Sequence, residues 1–141
     1  MGNASPGGRR VHPHPHHLRT NAADRHRSVM RAFRLACEVG DPVRLAAILH
    51  PTVAALTDGG GPVTAGTQST EGVEAVMGLI LTAVTQRGVA LSEEAVNGQL
   101  GLVLRRSSHV VGIICLSVRG PLISHVWIIS AEERLRSWNR A

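Results

Sequence analysis

Val96-Asn97-Gly98-Gln99-Leu100-Gly101-Leu102-Val103-Leu104-Arg105 is the stretch from which the architecture of this chain can be read. Asn-Gly between two apolar runs is the strongest short signal for a β-hairpin. Both central residues of a type I′ turn need positive φ, which Asn and Gly adopt at little cost. The flanking runs then read as paired strands over 89–96 and 99–105. Farther along, Ser107-Ser108 and Gly120-Pro121 supply two more turns, so 109–118 and 121–129 read as two more strands. Short connections between consecutive strands make an antiparallel meander.

Upstream of the hairpin the apolar spacing becomes helical. Val29, Met30, Phe33, Ala36 and Cys37 share one face of a helix expected over 22–39, with Asn21 as its cap, Asp24 in its first turn and Gly40 at its end. Asp41-Pro42 reads as an N-cap followed by proline at the first helical position. It opens a short helix carrying Val43, Leu45, Ala46, Ile48 and Leu49, which His50-Pro51 stops. Thr52 to Thr57 reads as a strand, and Asp58 to Gly66 as a Gly/Pro loop. Thr70, with Glu71 and Glu74, is expected to open a third helix with a clear face of Val73, Val76, Met77, Ile80, Leu81 and Val84, closed by Gly88. Ala131 to Trp138 reads as a last helical turn. Helix, helix, strand, helix and four strands define an α+β layer fold with helices on one face of a curved antiparallel sheet.

The chain has 141 residues, of which 43% are hydrophobic, enough for one domain with a real core. Residues 1–20, rich in Gly, Pro, Arg and His, read as a disordered tail ahead of a domain over 21–141. Charge is uneven. Residues 1–34 hold seven Arg against Asp24 alone, while 35–141 hold eight Arg against nine acids, so the net +5 belongs to the N-terminal segment. A basic tail by itself argues little for nucleic acid, and direct nucleic-acid binding is not expected. All fifteen basic residues are Arg and there is no Tyr, which excludes Lys Schiff-base chemistry and any mechanism that needs a Tyr hydroxyl. Cys37 and Cys115 sit in apolar surroundings and read as buried, reduced thiols without zinc spacing. The imidazoles of His12-Pro13-His14-Pro15-His16-His17 can capture metal adventitiously. A specific site needs fixed geometry and supporting contacts, so no metal and no cofactor are expected. The longest apolar run, Val110 to Leu116, is too short to span a bilayer, and the N-terminus has no apolar signal region, so a cytoplasmic location is expected.

At this point the motifs carry a family resemblance. The element order resembles the SnoaL-like branch of the nuclear-transport-factor-2-like superfamily. Glu38-Val39-Gly40-Asp41, Asp58-Gly59-Gly60-Gly61, Val96-Asn97-Gly98-Gln99 with Gly101-Leu102-Val103, and Val110-Val111-Gly112 are similar to the C-terminal domain of SigJ-type extracytoplasmic-function sigma factors. The resemblance covers about residues 24–138. It implies a cone-shaped sheet with about three helices on its concave side. It also implies a pocket lined by Asp58, Gly59, Gly60, Gly61 and Asn97, joined by His125 and Trp127 if their strand face is the concave one. Two departures stand out. Pro62 follows the glycine triplet where such domains carry Lys, and Ser130-Ala131-Glu132-Glu133-Arg134-Leu135 replaces their Asn-Pro-Asp-Lys-Leu. With only residues 1–20 ahead of the domain, the chain is expected to be a free-standing relative, a fragment or a paralogue, not a complete sigma factor.

Fold alone does not choose a function. Acid–base chemistry in an apolar cone needs an ionisable group inside it and an oxyanion partner. Asp58 and His125 are the two weak catalytic candidates. Asp58 has an alternative role as a turn cap, and His125, on an alternating strand with Ile123, Trp127 and Ile129, has one as a core or interface residue. Glu93 and Glu94 point to opposite faces, unless the strand is bent by a bulge or lies at a solvated edge. Asn97 has an amide to offer, but its turn role already accounts for it. Arg105 and Arg106 read as a solvated strand end. No pair forms a recognisable acid–base constellation. The leading expectation is therefore a non-enzymatic domain that binds a small apolar ligand or a protein, by resemblance a sigma factor or RNA polymerase, in a regulatory role. The alternatives are a small polyketide cyclase or isomerase with Asp58 or His125 as base, and a structural homodimer joined through Trp127, Ile123 and Ile129.

Overall fold

The computed structural model describes residues 15–58 and 68–140. In chain order the elements are α1 (Pro15–Val39), α2 (Pro42–Ala47), β1 (Leu49–Asp58), β2 (Gln68–Glu71), α3 (Val73–Val84), β3 (Val89–Val96), β4 (Gln99–Arg106), β5 (His109–Arg119), β6 (Leu122–Ile129) and α4 (Glu132–Leu135). A single 3₁₀ turn over Arg136–Trp138 follows α4. The six strands form one curved, unclosed sheet in the order β2-β1-β6-β5-β4-β3. The meander β3 to β6 is antiparallel throughout, as the turn signals require. Asn97 and Gly98 take φ of 52° and 87°, the left-handed pair a type I′ hairpin needs.

Four departures from the sequence reading have identifiable causes. Helix α1 begins at Pro15, not at 22, so residues 15–20 expected in the tail are helical and Asn21 lies inside the helix. Thr70 and Glu71 do not open α3. They belong to β2, which pairs antiparallel with β1 through Ala54↔Glu71 and Ala55↔Thr70. The helix starts after Gly72, whose φ of 97° reverses the chain and whose N–H donates to the Val53 carbonyl. β1 starts at Leu49, ahead of Pro51, because its pairing with β6 is interrupted between Leu49 and Ala54 and leaves room for a proline. Finally, β1, one strand in from the edge, runs parallel to β6, a long-range pairing.

The helices cover the concave face. Val29, Met30, Phe33, Ala36 and Cys37 of α1 and Val76, Ile80 and Val84 of α3 share one buried cluster with Val53, Ala55, Leu102, Leu104, Ile114, Leu116, Val126 and Ile128 of the sheet. Each Val, Leu, Ile, Met or Phe among them contributes roughly 1.5–3 kcal/mol when fully buried. Asp41 caps α2 as expected, its Oδ1 accepting from the Val43 N–H at 2.9 Å. The centre of the cone is thus filled by side chains such as Phe33, Met30 and Leu102, each with no exposed surface. A second, smaller cluster lies on the convex face, where Leu135 packs with Val103, Val110 and Ile113, bordered by Trp138. Asn139 fastens this C-terminal piece, accepting from the Val110 N–H at 2.7 Å and donating to the Val110 carbonyl at 3.0 Å.

Candidate functional site

Strand alternation and one irregularity decide where the candidate residues sit. In β5 and β6 the pairs Val118↔Ile123 and Ser117↔His125 leave Ser124 without a partner, a bulge that reverses the phase of the strand. Ile123 therefore turns into the concave core, fully buried, while His125 and Trp127 face the convex side. The expectation that Ile123 shares a face with His125 and Trp127 is corrected by that extra residue. His125 and Trp127 stack, with ring centroids 5.8 Å apart and planes 26° from parallel. Trp127 remains 36% exposed. Across the parallel ladder Ala54 lies opposite His125 and Leu56 opposite Trp127, so one half-open apolar patch spans β1 and β6 on the convex face.

Asp58 ends β1 at the edge of this patch, opposite Ile129. Its Oδ1 accepts from the Ser130 N–H at 3.0 Å, and Arg134 Nη1 stands 3.1 Å from Oδ2 without the alignment of a hydrogen bond. The carboxylate, 13% exposed, thereby holds the end of β6 and the start of α4 against β1. It does not face the concave core, and the turn that it would cap lies outside the described residues. Gly59, Gly60 and Gly61 lie outside the described residues. Asn97 is exposed at the hairpin tip, where its backbone serves the turn. The structure brings Asp58, His125 and Trp127 onto one face, and leaves Asn97 at the far edge of the sheet. Asp58→Ala is expected to cost about 1–3 kcal/mol by leaving the Ser130 N–H unsatisfied. Amide exchange over 130–139 should accelerate. Asp58→Asn, which keeps an acceptor, should lose clearly less. Equal exchange in wild type and Asp58→Ala would remove the clasp role.

The two glutamates of β3 do point to opposite faces, and the strand runs in unbroken register without a bulge. Glu93 faces α1, where Arg34 Nε donates to it at 2.5 Å, and Arg34 Nη1 also reaches Glu38 at 3.0 Å. Its bonds to Glu93 and Glu38 hold the Arg34 guanidinium above its usual value. Glu94 faces the convex side. There Arg105 and the Ser92 hydroxyl donate to it and hold its carboxyl below the usual range. Arg105 is therefore half-buried and paired, not a solvated strand end. Arg106 is exposed, donating to Gln86 and to the Arg87 carbonyl. Burial pushes the Cys37 thiol up to about 12, the state of an inert core thiol.

On the other side of the sheet, the N-terminal half of α1 leaves a cleft against the β3–β4 hairpin and β5. One hollow of about 500 Å³ is bordered by Ala23, His26, Arg27, Gln99 and Leu100. A second of about 200 Å³ is bordered by Arg25, Gln99, Leu116 and Ser117, and His26 and Ala22 line both. His26 Nε2 lies 2.9 Å from the Leu100 carbonyl. His26 escaped the sequence reading although a signal was there: it continues the stripe of Met30 and Phe33 at helical spacing, a polar residue in line with an apolar face. Among the described residues no group of three or more His, Cys, Asp or Glu side chains is placed to hold a metal ion. No helix among them is long and apolar enough to cross a membrane.

The architecture is shared with solved structures. SigJ, an extracytoplasmic function sigma factor of Mycobacterium tuberculosis, superposes with a TM-score of 0.60 and 20% identity over 85% of this chain, but over only 47% of SigJ. An NTF2-like protein of unknown function from Mesorhizobium loti gives 0.58 at 16% identity, covering 84% of this chain and 95% of the other. A putative ketosteroid isomerase from Kribbella flavida gives 0.55 at 16% identity over 78% of this chain and 80% of its own. No protein-family model and no curated protein matches the sequence. These likenesses establish a nuclear-transport-factor-2-like fold.

Proposed function

We propose that this chain, a nuclear-transport-factor-2-like domain, is a non-enzymatic binding module whose convex sheet face takes a protein partner in the regulation of sigma-factor-dependent transcription. The observation that carries this reading is Trp127, half-open on the convex face, held flat by His125 and bordered by Leu56. A large, rigid aromatic in a partly apolar surround is the residue type that dominates protein interfaces. The presence of the same fold within about half of a sigma factor supports the choice of partner. A cytoplasmic location belongs to the same reading.

The cyclase or isomerase alternative finds no support in the geometry. Asp58 and His125 both face away from the concave core, where the buried side chains among the described residues are all apolar. The homodimer alternative loses Ile123 to the concave core, keeps Trp127 on the convex face, and is separable by experiment. The test is to titrate the protein against a SigJ-type sigma factor, alone and with core RNA polymerase, and to assay transcription from its promoter. Saturable binding is expected, weakened at least ~10-fold by Trp127→Ala as for an interface hot spot. Absence of binding by the wild-type protein at high micromolar concentration would overturn the sigma-factor assignment. A dimer in sedimentation, dispersed by Trp127→Ala, would reassign the patch to self-association.

A further inference from the structure

We infer that the cleft beside α1 binds a small organic acid, a single carboxylate on an apolar body, with His26 as the residue that receives the carboxylate. The site lies on the opposite side of the sheet from the patch assigned to a protein partner, and does not rest on that assignment.

Four observations converge on this ligand class. The first is the state of His26. A carbonyl oxygen only accepts, so the 2.9 Å contact to Leu100 makes Nε2 the protonated nitrogen. That bond fixes the ring and leaves Nδ1 as the second polar atom, which becomes a donor when the imidazole is charged. A carboxylate is the group that favours the charged ring, through a charge-assisted hydrogen bond.

The second is the surrounding charge. Arg25 and Arg27 follow one another around α1 on either side of His26, and each borders one of the two hollows. Arg27 is shared with Asp24, at 2.9 Å. The facing hairpin tip, residues 95–100, and the facing segment of β5, residues 116–118, contain no charged residue at all. The cleft is therefore cationic on the helix side and uncharged on the sheet side. Such a field draws a monoanion and leaves no counter-charge opposite it.

The third is the lining. Leu100, Leu116 and Val118 face alanines of α1, while strand alternation turns the Gln99 and Ser117 side chains toward the convex face. Apolar walls whose polar groups are His26 and the flanking arginines suit an amphiphile better than a sugar or a polyphosphate. The fourth is size. The larger hollow alone, about 500 Å³, falls inside the ~300–1,000 Å³ range of small-molecule sites.

Octanoate and its neutral analogue octanamide test the assignment, because they share an apolar body and differ in the charge of the head. Isothermal titration of the full chain should show saturable octanoate binding with a Kd below ~1 mM, a weak-ligand affinity. Octanamide should bind at least ~10-fold more weakly, the loss expected when a charge-assisted bond is replaced by a neutral one. Two variants report independently. His26→Gln retains a donor toward Leu100 and should bring octanoate down to the amide's affinity. Arg25→Ala, an exposed position, should weaken octanoate several-fold and leave octanamide unchanged. In heteronuclear NMR the His26 imidazole and the Leu100 backbone amide should shift on titration. Equal affinity for acid and amide, unaltered octanoate binding in His26→Gln, or shifts confined to the Trp127 indole would each overturn the proposal, as would no saturable binding at all.

Discussion

Replacing Phe33 with Ala lowers the free energy of unfolding by about 3–5 kcal/mol, the cost of emptying a large aromatic site in a packed core. Phe33 has no exposed surface and belongs to the cluster that joins α1 to both halves of the sheet. Two costs add. The apolar surface of the ring is no longer removed from water, and the hole it leaves collapses only in part because α1 is held on both sides of Phe33. On the C-terminal side it is fixed by the Arg34–Glu93 pair and the Gly40 turn, on the N-terminal side by the His26–Leu100 bond. Domains of this size are stable by only about 5–15 kcal/mol, so the variant should be marginal. Urea unfolding followed by circular dichroism measures it, and Phe33→Leu should recover much of the loss. A Phe33→Ala cost under about 1.5 kcal/mol would show that the concave core is not organised around this ring.

Gly101→Val should be the second most damaging single change, at about 1–3 kcal/mol for an overpacked site. The strain here is steric, since a Cβ at Gly101 would stand 2.9 Å from Val96 Cγ2 and 3.3 Å from the Ile114 carbonyl oxygen. Val96 is stiff at χ1, and the carbonyl belongs to the neighbouring strand of the ladder, so neither gives way freely. A double-mutant cycle separates the two contacts. Val96→Ala should recover part of the loss caused by Gly101→Ala, because it removes the nearer atom, and the remainder reports the backbone contact. Full stability of Gly101→Val would mean that β3 and β4 tolerate a different register from the one observed. The glycine of the Gly-Leu-Val segment thus has a packing reason: it lets β3, β4 and β5 approach closely on the convex face.

The meander could be read almost to the residue from its turns. Asn97-Gly98, Ser107-Ser108 and Gly120 all take the positive φ that their sequence suggests, and the strands between them end within a residue or two of expectation. The apolar faces of α1 and α3 were equally readable, because helical spacing is a local property. The candidate site was less so. His125 and Trp127 could be paired on one face from alternation, but the phase relative to the core was set by one extra residue, Ser124. The clasp made by Asp58 could not be read because its partners, Ser130 and Arg134, are distant in sequence. The same holds for Glu93 with Arg34 and for His26 with Leu100, where each half of the pair is unremarkable until the fold joins them.

The amino-acid order alone therefore settled the α+β class, the hairpin tip, the four-strand meander and the buried stripes of two helices, since each depends on interactions between residues a few positions apart. Folding in three dimensions chose the neighbours. It placed β1 parallel to β6, took Thr70 and Glu71 from a helix into an edge strand, and sent His125 and Trp127 to the convex side while His26 bordered a cleft on the other. Those outcomes depend on contacts between segments far apart in the chain. One inserted residue or one long-range ladder reverses such contacts without leaving a trace in local composition.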